Sequence, residues 1–182
     1  MEMLRKEDCV LLVLDVQGTL FRTMLNRNAA LAASLKMIEF AGRIGIPVLV
    51  TEQYPKGLGP SLPQILSAAG AAEVIPKTSF SCFGEEAFAA RLRATGRKTV
   101  MIVGMEAHIC VMQTVLDGLR EGYRMYLAAD AVSAFSEFDR RLAFERMRAA
   151  GAIIGTVETA MFELLRAAKT DDFERCFDLL KR

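Results

Sequence analysis

Three residues of different chemistry each stand just beyond a short apolar run. Asp15 ends LLVLD, Lys77 follows VIP in VIPKTSF, and Cys110 lies six residues after Gly104 in VGMEAHICV. A thiol, a carboxylate and an ammonium are the parts of an activated nucleophile: sulfur to attack, a base for its proton, and a cation to steady the anions that form. Each alone has a plainer use. Aspartate at a strand end commonly caps a turn, lysine after proline is commonly solvated, and cysteine is among the most often buried residue types. Cys110 has one further feature, because it falls in the first turns of a helix that starts near Ala107 or His108. Unpaired N–H groups and partial positive charge at a helix start favour a thiolate, and a nearby lysine pushes the same way.

The elements that must gather these residues are legible from apolar pattern. Segments 9–15, 47–51, 73–76, 99–104, 124–130 and 152–157 are nearly continuous apolar runs, as expected of strands covered on both faces. Helical periods fill the gaps near 27–44, 62–68, 85–94, 108–121 and 137–150, with two more near 159–168 and 171–181. Gly45, Gly96, Gly122 and Gly151 each separate a helical run from a strand, the place of a C-cap glycine. Ser136 with Asp139, and Ser61 with Gln64, have capping-box spacing. Repeated β-α-β order predicts an α/β fold, a three-layer doubly wound parallel sheet, with residues 1–182 forming one domain. Ligands of such sheets bind beyond the carboxyl ends of the strands, where strand order reverses. The three chemical groups therefore share one rim.

Composition narrows the function classes. Of 182 residues 52% are hydrophobic, and 23 basic against 22 acidic side chains give a net charge of +1, which argues against both a disordered chain and a nucleic-acid partner. The opening MEMLRKED is charged where a secretory signal is apolar, and no apolar run approaches the ~20 residues that span a bilayer. The four cysteines, at 9, 82, 110 and 176, form no C-x-x-C, and there is one histidine. A zinc site or redox pair is therefore not expected, and the chain reads as cytoplasmic, with a small-molecule substrate and no membrane partner or cofactor.

The blocks LVLDVQGTL, IPKTSFSCF and VGMEAHICVMQTVLDGLREGYRMYLAADAVSAF resemble the isochorismatase-like cysteine hydrolases, and TEQYPKGLG resembles their uncharacterised isochorismatase-domain subgroup. The likeness runs from about residue 10 to 165. It implies a six-stranded parallel sheet in the order 3-2-1-4-5-6, reversing between the strands that carry Asp15 and Cys110. It also implies a triad. Cys110 attacks a carbonyl-type carbon to form a thioester-like intermediate, Asp15 carries the thiol proton to the leaving group, and Lys77 stabilises the anionic forms. A cis peptide is implied at Met105–Glu106, with the backbone N–H groups of Glu106 and Cys110 as oxyanion hole. Members are mostly oligomers, so a homo-oligomer is expected. The nicotinamidase metal site needs histidines that residues 51–59 lack, so no metal is expected. True isochorismatases lack the cysteine, so Cys110 speaks against vinyl-ether cleavage.

Gln17, Tyr54, Phe80 and Phe83 follow strand ends and are expected to shape the substrate pocket. His108 lies two residues from Cys110, a spacing that does not face it on a helix, so a cap or solvent role is expected. Cys82 is a rival nucleophile or a pocket wall, Cys9 and Cys176 are core, and Asp130 and Glu158 cap or brace. The expectation is a metal-independent cysteine hydrolase acting on a small amide- or carboxylate-type substrate. Its rivals are a catalytically silent oligomeric scaffold or binding module, whose cysteine would titrate ordinarily, and a redox-sensing thiol.

Overall fold

The computed structural model describes residues 3–181, and all six residues of its central strand β1 (Cys9–Leu14) are buried. Cys9, Leu11 and Val13 enter one hydrophobic cluster, Val10, Leu12 and Leu14 the other. This two-sided burial explains why the strand reads as an unbroken apolar run. β2 (Val48–Gln53) and β4 (Thr99–Met105) flank β1, with β3 (Val74–Lys77) outside β2 and β5 (Arg124–Ser133) and β6 (Ile153–Gly155) outside β4. The sheet is parallel throughout in the order β3-β2-β1-β4-β5-β6, as the resemblance implies.

The short helices α1 (Gly18–Phe21) and α3 (Pro55–Leu58) follow β1 and β2 at the carboxyl rim. Helices α2 (Arg27–Arg43), α4 (Pro63–Ala69), α8 (Val157–Leu165) and α9 (Asp171–Leu180) cover one face of the sheet, burying Phe40, Ile65, Met161 and Cys176. Helices α5 (Glu86–Ala94), α6 (Met112–Arg120) and α7 (Glu137–Ala149) cover the other, burying Phe88, Leu92, Val115 and Met147. A large apolar side chain buried in this way contributes about 1.5–3 kcal/mol.

Boundaries differ from expectation where polar residues continue a strand. β2 runs two residues further, to Gln53, and β5 three further, past Asp130, with a register shift opposite Ile102 and Gly104. β6 stops at Gly155 because Thr156 caps α8, its Oγ1 accepting from the Thr159 N–H at 3.1 Å. Glu158 therefore sits in a helix's first turn, while Asp130 braces that same turn by accepting the Val157 N–H at 2.9 Å. Ser136 caps α7 through the Asp139 N–H at 3.3 Å. Ser61 does not cap α4, whose N-cap is Leu62: its N–H donates to Glu52 Oε1 at 2.6 Å and its hydroxyl is buried without a partner among the described residues. Gly45, Gly96, Gly122 and Gly151 all have positive φ, as C-cap glycines require. Among the described residues no helix is long and apolar enough to cross a membrane.

Candidate active site

Asp15 is the first residue beyond β1 and lies in the left-handed region at φ 54°, which an L-residue occupies at a cost of about 1–2 kcal/mol. Its carbonyl accepts from the Gln17 N–H at 2.8 Å, turning the chain toward α1. The turn aims the carboxylate inward. Oδ1 accepts from Thr51 Oγ1 at 2.8 Å, and Oδ2 accepts no well-aligned hydrogen bond but faces Lys77 Nζ at 2.8 Å. Lys77 ends β3, two strands away, so its side chain must reach across β2. Both side chains are fully excluded from solvent.

Three further acceptors surround the ammonium: Gln53 Oε1 at 2.5 Å and the carbonyls of Phe80 and Ser79 at 3.0 and 3.1 Å. Those three acceptors match its three N–H groups, so Lys77 has no donor left over for a ligand and meets Asp15 as a counter-charge. The loop that supplies the carbonyls is tied down by Glu85. Its Oε1 accepts the Thr78 N–H at 2.7 Å, and the Ser79 N–H and hydroxyl at 3.0 Å each.

Cys110 arrives from β4. Gly104, at φ 131°, lets β4 approach β1 so closely that a Cβ there would stand 2.1 Å from the Leu14 carbonyl oxygen. The chain then passes through a cis peptide at Met105–Glu106, where the resemblance places one, into a π-helical turn over Ala107–Val111. The Glu106 carbonyl, which an α-helix would give to the Cys110 N–H, instead accepts from Ile109 and Val111, each at 3.1 Å. The widened turn thus releases the Cys110 N–H from its usual i−4 partner. Its S–H is directed to Gln53 Oε1 at 3.9 Å, and its sulfur lies near enough to Asp15 and Lys77 to feel both charges.

The electrostatics correct one expectation. The helix start does not make Cys110 acidic: burial, and then the Asp15 charge, push its thiol up to about 12, against the opposing pull of Lys77. Burial also raises Asp15, although Lys77, Thr51 and Cys110 all favour its charged form. For Lys77, burial works against the ammonium, but Asp15 and Cys110 outweigh it, so the amine holds its proton more tightly than usual. The site thus sets the Asp15 carboxyl and the Lys77 amine 2.8 Å apart beside a thiol that holds its proton, coupled closely enough to titrate as a unit.

Asp15, Lys77 and Cys110 meet here, but two of the four expected pocket residues do not face them. Gln17 is wholly buried, its amide taken up by the main chain: Nε2 donates to the carbonyls of Gln53 and Gly59, and Oε1 accepts from the Gln53 N–H. Phe83 packs edge-on against Phe88, ring centroids 5.5 Å apart, and against Tyr123 at 5.7 Å. Tyr54 is exposed beside a cleft of about 350 Å³ that Lys77 and Glu85 also line, and Phe80 is exposed nearby in sequence to Lys77. Cys82 is buried, its N–H held by Thr114 Oγ1 at 3.0 Å and its thiol pushed up to about 12, chiefly by burial. His108 is half-buried, with Nδ1 enclosed and unpaired.

The isochorismatase domain matches this chain over residues 9–159. The chain belongs to that family. Isochorismatase family protein 1A of Dictyostelium discoideum is 34% identical over 174 residues, which span 93% of this chain and 84% of that protein. The MAR1 ribonuclease of Caenorhabditis elegans superposes with a TM-score of 0.92 at 32% identity, over 98% of this chain and 92% of that one. YcaC of Escherichia coli, described as an octameric hydrolase of unknown specificity, superposes at 0.92 with 26% identity, over 97% and 88% of the two chains. This member has the isochorismatase-like hydrolase fold, and its rim includes three polar residues that sequence reasoning passed over: Thr51, Gln53 and Glu85. A longer reading of β2 would have found Gln53, since the TEQ run continues the strand two residues past Thr51 toward the site.

Proposed function

We propose that this chain is a metal-independent cysteine hydrolase in which Cys110 attacks the acyl carbon of a small amide- or carboxylate-type substrate. The observation that carries this reading is the convergence of three buried groups: the Cys110 sulfur lies 3.9 Å from the Gln53 oxygen that also accepts from Lys77, and the Lys77 ammonium lies 2.8 Å from the Asp15 carboxylate. The thiol gives its proton to Asp15 as sulfur bonds to carbon, Lys77 holds the resulting carboxylic acid in place, and the same proton passes to the leaving group. A water molecule then cleaves the thioester and the thiol is restored. Lys77 acts through Asp15 in this scheme, because its three donors already have three acceptors. The Cys110 N–H, freed by the π-turn, and the N–H of Glu106 serve as the oxyanion hole.

A protonated resting thiol fits a nucleophile that is charged only when substrate is in place. A small neutral substrate suits a buried cysteine beside a carboxylate, where the polyanion of a ribonuclease would be repelled. Four buried free thiols suit a reducing cytoplasm, and the octameric YcaC supports a homo-oligomer. The test is hydrolysis of a panel of small amides by the wild type and by Cys110→Ala. Turnover of a panel member that Cys110→Ala abolishes supports the reading, and full turnover by the variant overturns it.

A further inference from the structure

We infer that Gln53 is a positioning residue of this site: its side-chain carbonyl holds the Lys77 ammonium against Asp15 and offers the Cys110 S–H an uncharged second acceptor. The inference rests on the proposed nucleophile. The Gln53 amide has one permitted orientation, because Oε1 faces an ammonium at 2.5 Å while Nε2 donates to the Thr78 carbonyl at 2.8 Å. Reversing it would set donor against donor and acceptor against acceptor. Its main chain is held just as firmly by Gln17, whose amide bonds both the N–H and the carbonyl of Gln53 at 2.7 and 3.0 Å. A buried Gln17 that touches no pocket thus has a task, which is to register Gln53.

A single amide oxygen therefore stands between the ammonium and the sulfur, 2.5 Å from one and 3.9 Å from the other. It draws the ammonium toward itself and away from the thiol, and it accepts the S–H. The acceptor must be neutral. A carboxylate of the same shape would put a second anion beside Asp15 and oppose formation of the thiolate.

The experiment measures iodoacetamide labelling of Cys110 against pH, with peptide mapping, in wild type, Gln53→Glu and Gln53→Met. In Gln53→Glu the added charge slows Cys110 labelling at pH 9 about tenfold or more, the effect of one unit in thiol pKa. In Gln53→Met, which removes the acceptor without adding charge, Cys110 labels about threefold faster while Cys9 and Cys176 are unchanged. If Gln53→Glu fails to fold, the methionine variant decides alone. Curves that superimpose on the wild type overturn the inference, as does slowing by methionine or acceleration shared by Cys9 and Cys176. Failure of the hydrolase reading is seen elsewhere, in the turnover of Cys110→Ala, which these labelling curves do not measure.

Discussion

Lys77 Nζ lies 2.8 Å from Asp15 Oδ2 with neither side chain exposed, in a protein whose other ion pairs among the described residues all keep some solvent contact. Removing one partner of such a pair strands a charge in a low-dielectric interior, which costs about 3–5 kcal/mol, while removing both costs far less. Lys77→Met leaves the Asp15 carboxylate with the Thr51 hydroxyl and no counter-charge, and its cost is expected at the upper end. Asp15→Asn leaves the ammonium three carbonyl oxygens and is expected at the lower end. Urea unfolding of both variants and of Asp15→Asn/Lys77→Met checks this. A double variant as unstable as the sum of the singles would show the two side chains to be uncoupled.

The charge of Asp15 raises the Cys110 thiol and that of Lys77 lowers it, so the two substitutions act on labelling in opposite directions. Asp15→Asn should bring the thiol down from about 12 and speed iodoacetamide labelling at pH 8, while Lys77→Met should slow it. Under the proposed mechanism Asp15→Asn also loses turnover, since nothing then receives the thiol proton. Faster alkylation with lost hydrolysis is the signature of a base; faster alkylation with retained hydrolysis would remove Asp15 from the mechanism.

The meeting of Asp15, Lys77 and Cys110 was legible because each of the three follows an apolar run, and because parallel strands bring their ends to one rim; the strand order came from the family resemblance. The thiol's protonation was not legible. A helix start and a lysine both argue for thiolate, and the opposing burial is a property of the packed rim rather than of nearby residues. Gln17 and Phe83 misled for a related reason. Both follow a strand end in sequence, yet Gln17 faces the β2 main chain and Phe83 turns under α5 and α6. Gln53 was missed because its run reads as loop, whereas β2 continues through it.

Glu85 predicts an acid dependence. Its carboxylate is held down at about 2, first by the N–H groups of Ser79 and Thr78 that it accepts. A carboxylate depressed in the folded state stabilises above its unfolded value, 4.5 for this group, and that contribution is lost as pH falls from there toward 2. Solvent screening keeps its size to about 1 kcal/mol. Glu85→Gln should therefore cost about that much at pH 7, and its deficit should shrink below pH 4.5 and vanish only as pH reaches about 2, in denaturant midpoints measured across that range. A pH-independent deficit would mean that the carboxylate's charge is not what ties the loop.

Gly104 couples the fold to the site most directly, because it sits where β4 passes β1 just before the turn that carries Cys110. It faces two obstacles to a side chain at once. A Cβ would meet the Leu14 carbonyl oxygen at 2.1 Å, backbone that cannot rotate away, and φ 131° is closed to L-residues in any case. Gly104→Ala must move β4 off β1, and roughly 3 kcal/mol or more is expected from the strain and repacking together. Leu14 precedes Asp15, so the same shift draws the carboxylate away from the thiol. Variant protein that stays folded below its lowered melting point should then label at Cys110 more readily than wild type, because the sulfur loses both its burial and its anionic neighbour. Calorimetry and labelling on one preparation check the two effects together. A Gly104→Ala protein with unchanged melting and unchanged labelling would show that β1 and β4 have room this geometry does not allow.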